Sequence, residues 1–320
     1  KSAPSQSSLN EAGDIMNELY VQYLAGYGLE VPDTTIAEKF YSAFGLVPAS
    51  KPGRLELSSR AGNSTADVVI LEGGAHKRLH HLSFAVAAAD LPRFADHLKN
   101  IGCPATTPPF GEIRQGLWFQ DPWSTWINLT PIDHPRNETP KETVIPARID
   151  HHLWRELNRD IHPNRLGHLL MFTPDWEKAE AFFTKALGLV TSDRASGKVA
   201  FMSGGRGVRD HHCFGLINGT HRGFQHSSFQ VDSIDDIGFG ALQMHKAGYS
   251  DGFGIGRHAL ASNLFFYIRD PWGSWVEYYA DMDKISNAWQ AKDWQDLPYI
   301  WPSWAPEFWS NEMNANHEPR

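Results

Sequence analysis

The sequence GRHALASNLFFYIRDPWGSWVE, residues 256–277, holds two runs of strand-forming residues on either side of an Asp-Pro-Trp-Gly turn. Pro271 suits position i+1 of a type I turn, and Gly273 suits the left-handed residue that follows in a three-residue hairpin loop with a bulge. This loop predicts that Tyr267 lies opposite Glu277, so that both side chains leave the same face of the sheet. A two-residue loop would place them on opposite faces.

The same pattern recurs earlier in the chain. Segment 81–128 begins His-Leu-Ser-Phe-Ala-Val and ends Asp-Pro-Trp-Ser-Thr-Trp-Ile-Asn, whereas segment 226–277 begins His-Ser-Ser-Phe-Gln-Val and ends Asp-Pro-Trp-Gly-Ser-Trp-Val-Glu. Upstream of each lies a second matching pair, 32–47 and 174–190, which both run from Pro-Asp to Gly-Leu-Val. Internal repetition of this kind outweighs local propensity in predicting a fold. The two halves of the chain are therefore related.

Helical spacing marks the first helix of each unit. In the third unit the apolar stripe lies between Asp175, which can serve as N-cap, and Gly188, which suits the residue after the helix. In the fourth unit Ser233 can cap the helix and Gly248 can end it. The remaining elements are predicted as short strands, which gives four βαβββ modules, two in each domain.

Residue patterns predict five segments. Residues 1–17 form a polar tail, 18–131 an N-terminal domain, 132–146 a proline-rich linker, 147–283 a C-terminal domain, and 284–320 a Trp-rich tail. The tail contains five Trp residues, which we expect to pack over the mouth of the C-terminal domain because so aromatic a segment is unstable in water.

Composition excludes several classes of protein. The chain has 320 residues with 41% hydrophobic residues, enough for buried cores, and its formal charge of −8 argues against a nucleic-acid surface. Cys103 and Cys213 fall in different predicted domains, so we expect no disulfide and a reducing compartment. No apolar run approaches the roughly 18 residues of a membrane span, and the polar start lacks a signal-peptide core. A cytoplasmic protein without membrane or nucleic-acid partners is predicted.

The stretch 256–277 resembles the signature of the type I extradiol ring-cleaving dioxygenases. That signature runs Gly-x-His, a short spacer, an apolar residue and Tyr, then Asp-Pro-x-Gly and Glu. The sequence fills these positions with the following residues: Gly256, His258, Phe266, Tyr267, Asp270, Pro271, Gly273 and Glu277. The resemblance implies an α+β protein with the two-domain vicinal oxygen chelate fold, which is also found in glyoxalases and bleomycin-resistance proteins, and it implies self-association.

The resemblance also implies a metal site. Matched position by position, the ligands are His168, His226 and Glu277, which each lie in a strand pattern. Two His and one carboxylate on one face leave the opposite face open for a diol and for O2, as non-haem Fe(II) oxygenases require. The implied cofactor is Fe(II), with Mn(II) as the lesser alternative, and the implied reaction is oxidative cleavage of an aromatic vicinal diol.

Three further positions match the family's catalytic residues. His212 resembles the proton donor, with His211 as a rival that we interpret as an exposed residue at a strand end. His258 and Tyr267 resemble the pair that orients the substrate. Leu170 departs from the pattern of some catechol-cleaving relatives, which carry Asn there, and this leaves the substrate class open.

Two other functions fit the same sequence. One is another metalloenzyme of this superfamily, such as a keto-acid dioxygenase or a glyoxalase-like lyase, and the other is a non-catalytic protein that binds an aromatic ligand. The complete signature argues against the first, and the six retained polar site residues argue against the second. In the N-terminal half we align His81 with His226, Tyr27 with His168, and Asn128 with Glu277, and we therefore expect no metal there.

Overall fold

A computed structural model describes residues 19–60, 65–111, 113–133, 159–195, 197–295 and 302–304. The described helices are α1 (Thr34–Ala43), α2 (Leu91–Asn100), α3 (Trp176–Leu187) and α4 (Ile234–Lys246), with a 3-10 turn at Ala88–Asp90. No helix among these residues is long and apolar enough to cross a membrane. Both cysteines are free thiols.

The N-terminal half forms one sheet of seven strands. They are β1 (Tyr23–Val31), β2 (Val47–Lys51), β3 (Arg54–Ser58), β4 (Val68–Glu72), β5 (Arg78–Ala87), β6 (Leu117–Gln120) and β7 (Trp126–Ile132), in the spatial order β2-β3-β4-β1-β5-β7-β6. The first module is complete. The second has one strand fewer than predicted, because the described residues between α2 and β6 form no strand.

The C-terminal half forms a sheet of ten strands. They are β8 (Arg165–Thr173), β9 (Val190–Ala195), β10 (Val199–Ser203), β12 (Phe214–Asn218), β13 (Gly223–Gln230), β14 (Gly252–His258), β15 (Leu264–Arg269), β16 (Trp275–Ala280), β18 (Lys292–Trp294) and β19 (Pro302–Trp304). Their order is β18-β9-β10-β12-β8-β13-β16-β15-β14-β19, and the short strands β11 (Arg209–Asp210) and β17 (Lys284–Ile285) pair separately. Both modules of this half are complete, and the mixed sheets with few helices confirm the predicted α+β class.

The predicted helix ends are mostly correct. Ser233 Oγ accepts a hydrogen bond from the Asp236 N–H, and Gly188 and Gly248 both have the left-handed conformation. Asp175 precedes α3 as predicted, but its side chain makes no capping hydrogen bond. It instead accepts a hydrogen bond from Lys178 at 3.3 Å, which leaves the helix start without the predicted cap.

The two halves share one hydrophobic core. The rings of Phe44 and Tyr278 stack with centroids 3.9 Å apart, and the Tyr278 hydroxyl donates to the Phe44 carbonyl at 2.8 Å. The Tyr27 hydroxyl donates to Ser227 Oγ, also at 2.8 Å. Since these contacts join residues of opposite halves and are fully buried, they fix how the two sheets pack together.

The beginning of the Trp-rich tail adds strands to the second sheet. β18 pairs with β9 at one edge and β19 pairs with β14 at the other. Trp289 Nε1 donates to the Ser192 carbonyl at 2.8 Å, and Trp294 packs against an apolar cluster that contains Phe201 and Leu260. The predicted cover over the site stays a prediction, as do the segment boundaries. Trp301, Trp309, residues 134–146 of the linker and the N-terminal tail lie outside the described residues.

Candidate metal centre

The hairpin of β15 and β16 has the predicted register. Tyr267 pairs directly with Glu277, and Gly273 in the turn has a φ of 95°. Asp270 closes this turn, because its Oδ1 accepts the N–H groups of Trp272 and Ser274, each at 3.0 Å. The turn therefore sends the Tyr267 and Glu277 side chains to the same face of the second sheet.

Three neighbouring strands bring the predicted ligands together on that face. Ser228 on β13 pairs with His168 on β8 and with Glu277 on β16, so these three residues lie level across the sheet. His226 lies two residues from Ser228 on the same strand and thus on the same face. The ligand atoms that His168, His226 and Glu277 offer all lie within 4.8 Å of one another.

The donor set fits a divalent metal ion. Glu277 Oε2 lies 3.1 Å from His168 Nε2 and 3.5 Å from His226 Nε2, and all three residues are buried. His226 Nε2 has no hydrogen-bond partner in the described part of the chain, whereas its Nδ1 contacts Gln225 Oε1. Since the amide oxygen can only accept, Nδ1 carries the proton and the Nε2 lone pair is free for a metal.

Electrostatics keep these groups in the ligand form. Burial would raise the pKa of Glu277, but hydrogen bonds from His168 and His258 and the nearby His charges outweigh burial and lower it. Burial, together with the neighbouring His168 and His258, lowers the pKa of His226 to about 3. At neutral pH the site therefore offers a carboxylate and a neutral imidazole, as metal binding requires.

The remaining predicted residues line a cavity beside the ligands. His258 Nε2 lies 3.1 Å from the Tyr267 hydroxyl and 3.6 Å from Glu277 Oε1. The ring of His212 lies 4.4 Å from that of His168, centroid to centroid. Burial first, and then the charge of Glu277, raises the pKa of Tyr267 well above its usual value, so its hydroxyl stays protonated. All six predicted site residues thus converge.

The comparisons with known proteins agree with this geometry. Residues 165–278 match the family model of the Glyoxalase/Bleomycin resistance protein/Dioxygenase superfamily. Metapyrocatechase 2 of Cupriavidus necator is 36% identical over 296 residues, which cover 90% of this chain and 91% of that protein. The chain belongs to the type I extradiol ring-cleaving dioxygenases. It is therefore a ring-cleaving oxygenase, and the family implies a catalytic metal ion.

Solved structures confirm the fold of the dioxygenase. The Mn(II)-bound glyoxalase from Novosphingobium aromaticivorans has a TM-score of 0.73 at 20% identity, covering 90% of this chain and 91% of that one. The halotolerant catechol dioxygenase BphC has a TM-score of 0.70 at 19% identity, covering 89% and 94%. Both a glyoxalase and a dioxygenase thus share the vicinal oxygen chelate architecture.

The interpretation of His211 as an exposed residue at a strand end is wrong. His211 is 1% exposed in the dioxygenase and lies between two polar partners. Its Nε2 lies 3.0 Å from Asp193 Oδ2, and its Nδ1 lies 3.1 Å from Nδ1 of His212. The short strand β11 ends at Asp210, and the two imidazoles that follow it are both buried.

The hydrogen bonds among Asp193, His211 and His212 bear on which ring nitrogens of the two imidazoles carry protons. The Asp193 carboxylate only accepts, so His211 Nε2 donates to it. One proton lies between His211 Nδ1 and His212 Nδ1, and when His212 supplies it, Nε2 of His212 keeps a lone pair. Burial first, and then the neighbouring His168 and His211, lowers the pKa of His212 well below its usual value and keeps it neutral. A neutral imidazole at this position can accept a proton.

The sequence analysis missed four residues of the site. Asn263 Nδ2 donates to Glu277 Oε1 at 3.3 Å, and Gln225 and Asp193 orient His226 and His211. The fourth, Ser228, is buried beside the ligands, and its Oγ has no partner among the described residues. Only Gln225 and Ser228 carried a signal, because they flank a predicted ligand on its own strand.

The N-terminal half has a different alignment from the predicted one. Ser83 pairs with both Gly26 and Asn128, as Ser228 pairs with His168 and Glu277. Gly26, not Tyr27, therefore occupies the place of His168, while His81 and Asn128 align as predicted. A shift of one residue reverses the face of a strand, and Tyr27 accordingly points into the shared core.

Proposed function

We propose that His168, His226 and Glu277 bind Fe(II) and that the enzyme opens the ring of an uncharged catechol with O2. The chemistry that Fe(II) supplies there is chelation of both diol oxygens and activation of O2 on one centre. The observation that carries this proposal is the free Nε2 of His226, which lies with the other two ligand atoms beside a cavity.

Three side chains then act on the diol. His212, held by His211 and Asp193, takes a proton from a diol hydroxyl at its Nε2 and can later return it. The Tyr267 hydroxyl and His258, 3.1 Å apart, hold an oxygen of the substrate on the other side. General acid and base groups of this kind typically contribute about 10²–10⁴ in rate.

The walls of the cavity favour an uncharged ring. Leu170, Phe201 and Leu260 form its apolar side, and no Lys or Arg is found among the described residues that line it. The enclosed space measures about 20 Å³, so a diol enters only when these apolar side chains move apart. A carboxylate on the ring would lose its hydration there without gaining a cationic partner.

Loading the protein with Fe(II) under anaerobic conditions and then adding O2 tests the reaction. With catechol or 3-methylcatechol we expect oxygen uptake and the absorbance of a yellow ring-opened product. A glyoxalase-like lyase would consume a hemithioacetal without oxygen, and a binding protein would bind catechol without turnover; either result would reject the proposal. For 3,4-dihydroxybenzoate we expect kcat/KM at least about tenfold lower, because its charge is desolvated.

A further inference from the structure

The N-terminal half places a guanidinium where the C-terminal half places its metal ligands. Gly26 fills the position of His168, and a Cβ built on Gly26 would meet Nη2 of Arg114 at 2.1 Å. Arg114 therefore occupies the space that a ligand side chain would need. It stands four residues before Trp118, which pairs with Asn128 as Tyr267 pairs with Glu277.

The hydrogen bonds of Arg114 are incomplete. The residue is 5% exposed, and its Nη2 donates to the Ala66 carbonyl. Nε and Nη1 are buried and have no hydrogen-bond partner among the described residues. Native proteins satisfy nearly all buried donors, so two nitrogen atoms without an acceptor on one charged group indicate a missing acceptor.

The nearby carboxylates already have other partners. Asp67 Oδ2 accepts from the backbone N–H and the hydroxyl of Ser59, each at 2.7 Å. Glu56 accepts from Arg54 Nε at 2.8 Å. These charges help Arg114 to remain cationic, but neither forms an ion pair with it among the described residues.

Arg114 lies in the wall of a cavity of about 460 Å³, a volume that suits a small organic ligand. Its walls combine apolar side chains with Thr130, Gln115 and the ion pair of Arg54 with Glu56, and the exposed Lys51 lies at the rim. We propose that this cavity binds a small organic carboxylate through Arg114. A guanidinium matches the planar carboxylate, and the apolar walls accommodate its hydrocarbon body.

Benzoate is the probe, titrated calorimetrically into the anaerobic Fe(II) enzyme with and without saturating catechol. We expect one benzoate per chain, bound equally with and without catechol because the active site is elsewhere. Benzamide, its neutral analogue, should bind at least about tenfold more weakly, since the charge-assisted hydrogen bonds are lost. Arg114→Gln should weaken benzoate binding by about the same factor.

Two surface variants guard against misfolding of Arg114→Gln. Lys51→Glu reverses the charge at the rim and should weaken benzoate binding by roughly threefold, since rim charges contribute little. Lys39→Glu, an exposed change on α1, should leave it unchanged. The proposal would be overturned by absence of benzoate binding, by binding that catechol abolishes, or by binding that both Arg114→Gln and Lys51→Glu leave intact. Ring cleavage should be unaffected in all three variants.

Discussion

Lys77 Nζ lies 2.6 Å from Asp270 Oδ2, and both side chains are buried, with 2% and 0% of their surface exposed. Lys77 precedes β5 in the N-terminal half, whereas Asp270 closes the turn that sets the register of Tyr267 and Glu277. The two-fold relation of the halves repeats the contact, since Arg222, which precedes β13, binds Asp121 at 2.8 Å. Each half thus supplies the cation that neutralises the turn of the other.

Replacing Lys77 by Met should destabilise the protein strongly, because it leaves the Asp270 carboxylate buried and unpaired. Loss of one partner of a buried ion pair typically costs about 3–5 kcal/mol in the free energy of unfolding. Urea denaturation measures this directly. The control is Arg78→Met, whose side chain is 66% exposed beside Glu30 and should cost less than about 1 kcal/mol. Equal effects of the two changes would show that the buried pair contributes no more than a surface pair.

Replacing Asp193 by Asn should slow ring cleavage without removing iron. The amide can donate to His211, which reverses the order of donors and acceptors and leaves Nε2 of His212 protonated before the substrate binds. We expect kcat to fall by about 10²–10⁴, the usual contribution of a general base, while KM changes little. Rapid-mixing kinetics and metal analysis check both points.

Asp293→Asn is the matched control for Asp193→Asn, because Asp293 is an exposed residue on β18, the neighbouring strand. It should retain wild-type turnover. If both variants keep normal turnover and the same pH profile, the orienting role of Asp193 and His211 is wrong.

The stability of the metal-free protein should fall as the pH decreases below about 6.5. The pKa of His226 is lowered from 6.5 to about 3 in the folded protein, so between these values the unfolded chain binds more protons. The stability from neutral His226 is therefore complete above pH 6.5 and is lost progressively toward pH 3, by up to about 1.4 kcal/mol per pH unit. Urea denaturation at stepped pH measures the slope, and His226→Phe should flatten it; an unchanged slope would contradict the prediction.

The N-terminal half should bind no iron. His81 and Asn128 are the only counterparts of the three ligands with a polar side chain, and the pKa of His81 is lowered first by burial and then by the Arg114 guanidinium. A divalent cation would meet that positive charge without an anionic ligand. Metal analysis of His226→Ala should therefore show loss of most iron, and residual iron that disappears in the His81→Ala, His226→Ala double variant would show a second site.

Turn residues and the internal repeat made part of the site predictable from the sequence. The Pro-Gly turn sets the register of one hairpin, and the internal repeat places the His residues on matching strands. The sequence therefore predicts that Tyr267 and Glu277 share one face, whereas the place of His226 among the ligands followed from the family resemblance. The alignment of Tyr27 with His168 was wrong by one residue, although the repeat contains the correct one: Gly26 lies six residues before Pro32, as His168 lies six residues before Pro174. The irregularities of β1 recur at the matching places of β8, so they do not explain the shift.

Long-range pairs could not be predicted. The sequence places His211 after a short strand as a polar residue. Nothing near it predicts its contact with Asp193, 18 positions earlier. The same holds for Lys77, whose partner Asp270 is 193 positions away. Local patterns report the strand or helix that carries a residue, whereas burial of a charge depends on which elements pack together.

The reciprocal ion pairs of Lys77 with Asp270 and of Arg222 with Asp121 also bear on how the two halves can change over generations. A chain built from a duplicated unit could in principle discard the copy that lost its ligand set. Here the C-terminal half, which has the ligands, depends on Lys77 of the N-terminal half. Lys77 neutralises Asp270 in the turn that places Tyr267 and Glu277. The two residues of each ion pair are therefore expected to co-vary among related proteins. Selection for catalysis in the C-terminal half also preserves the N-terminal half.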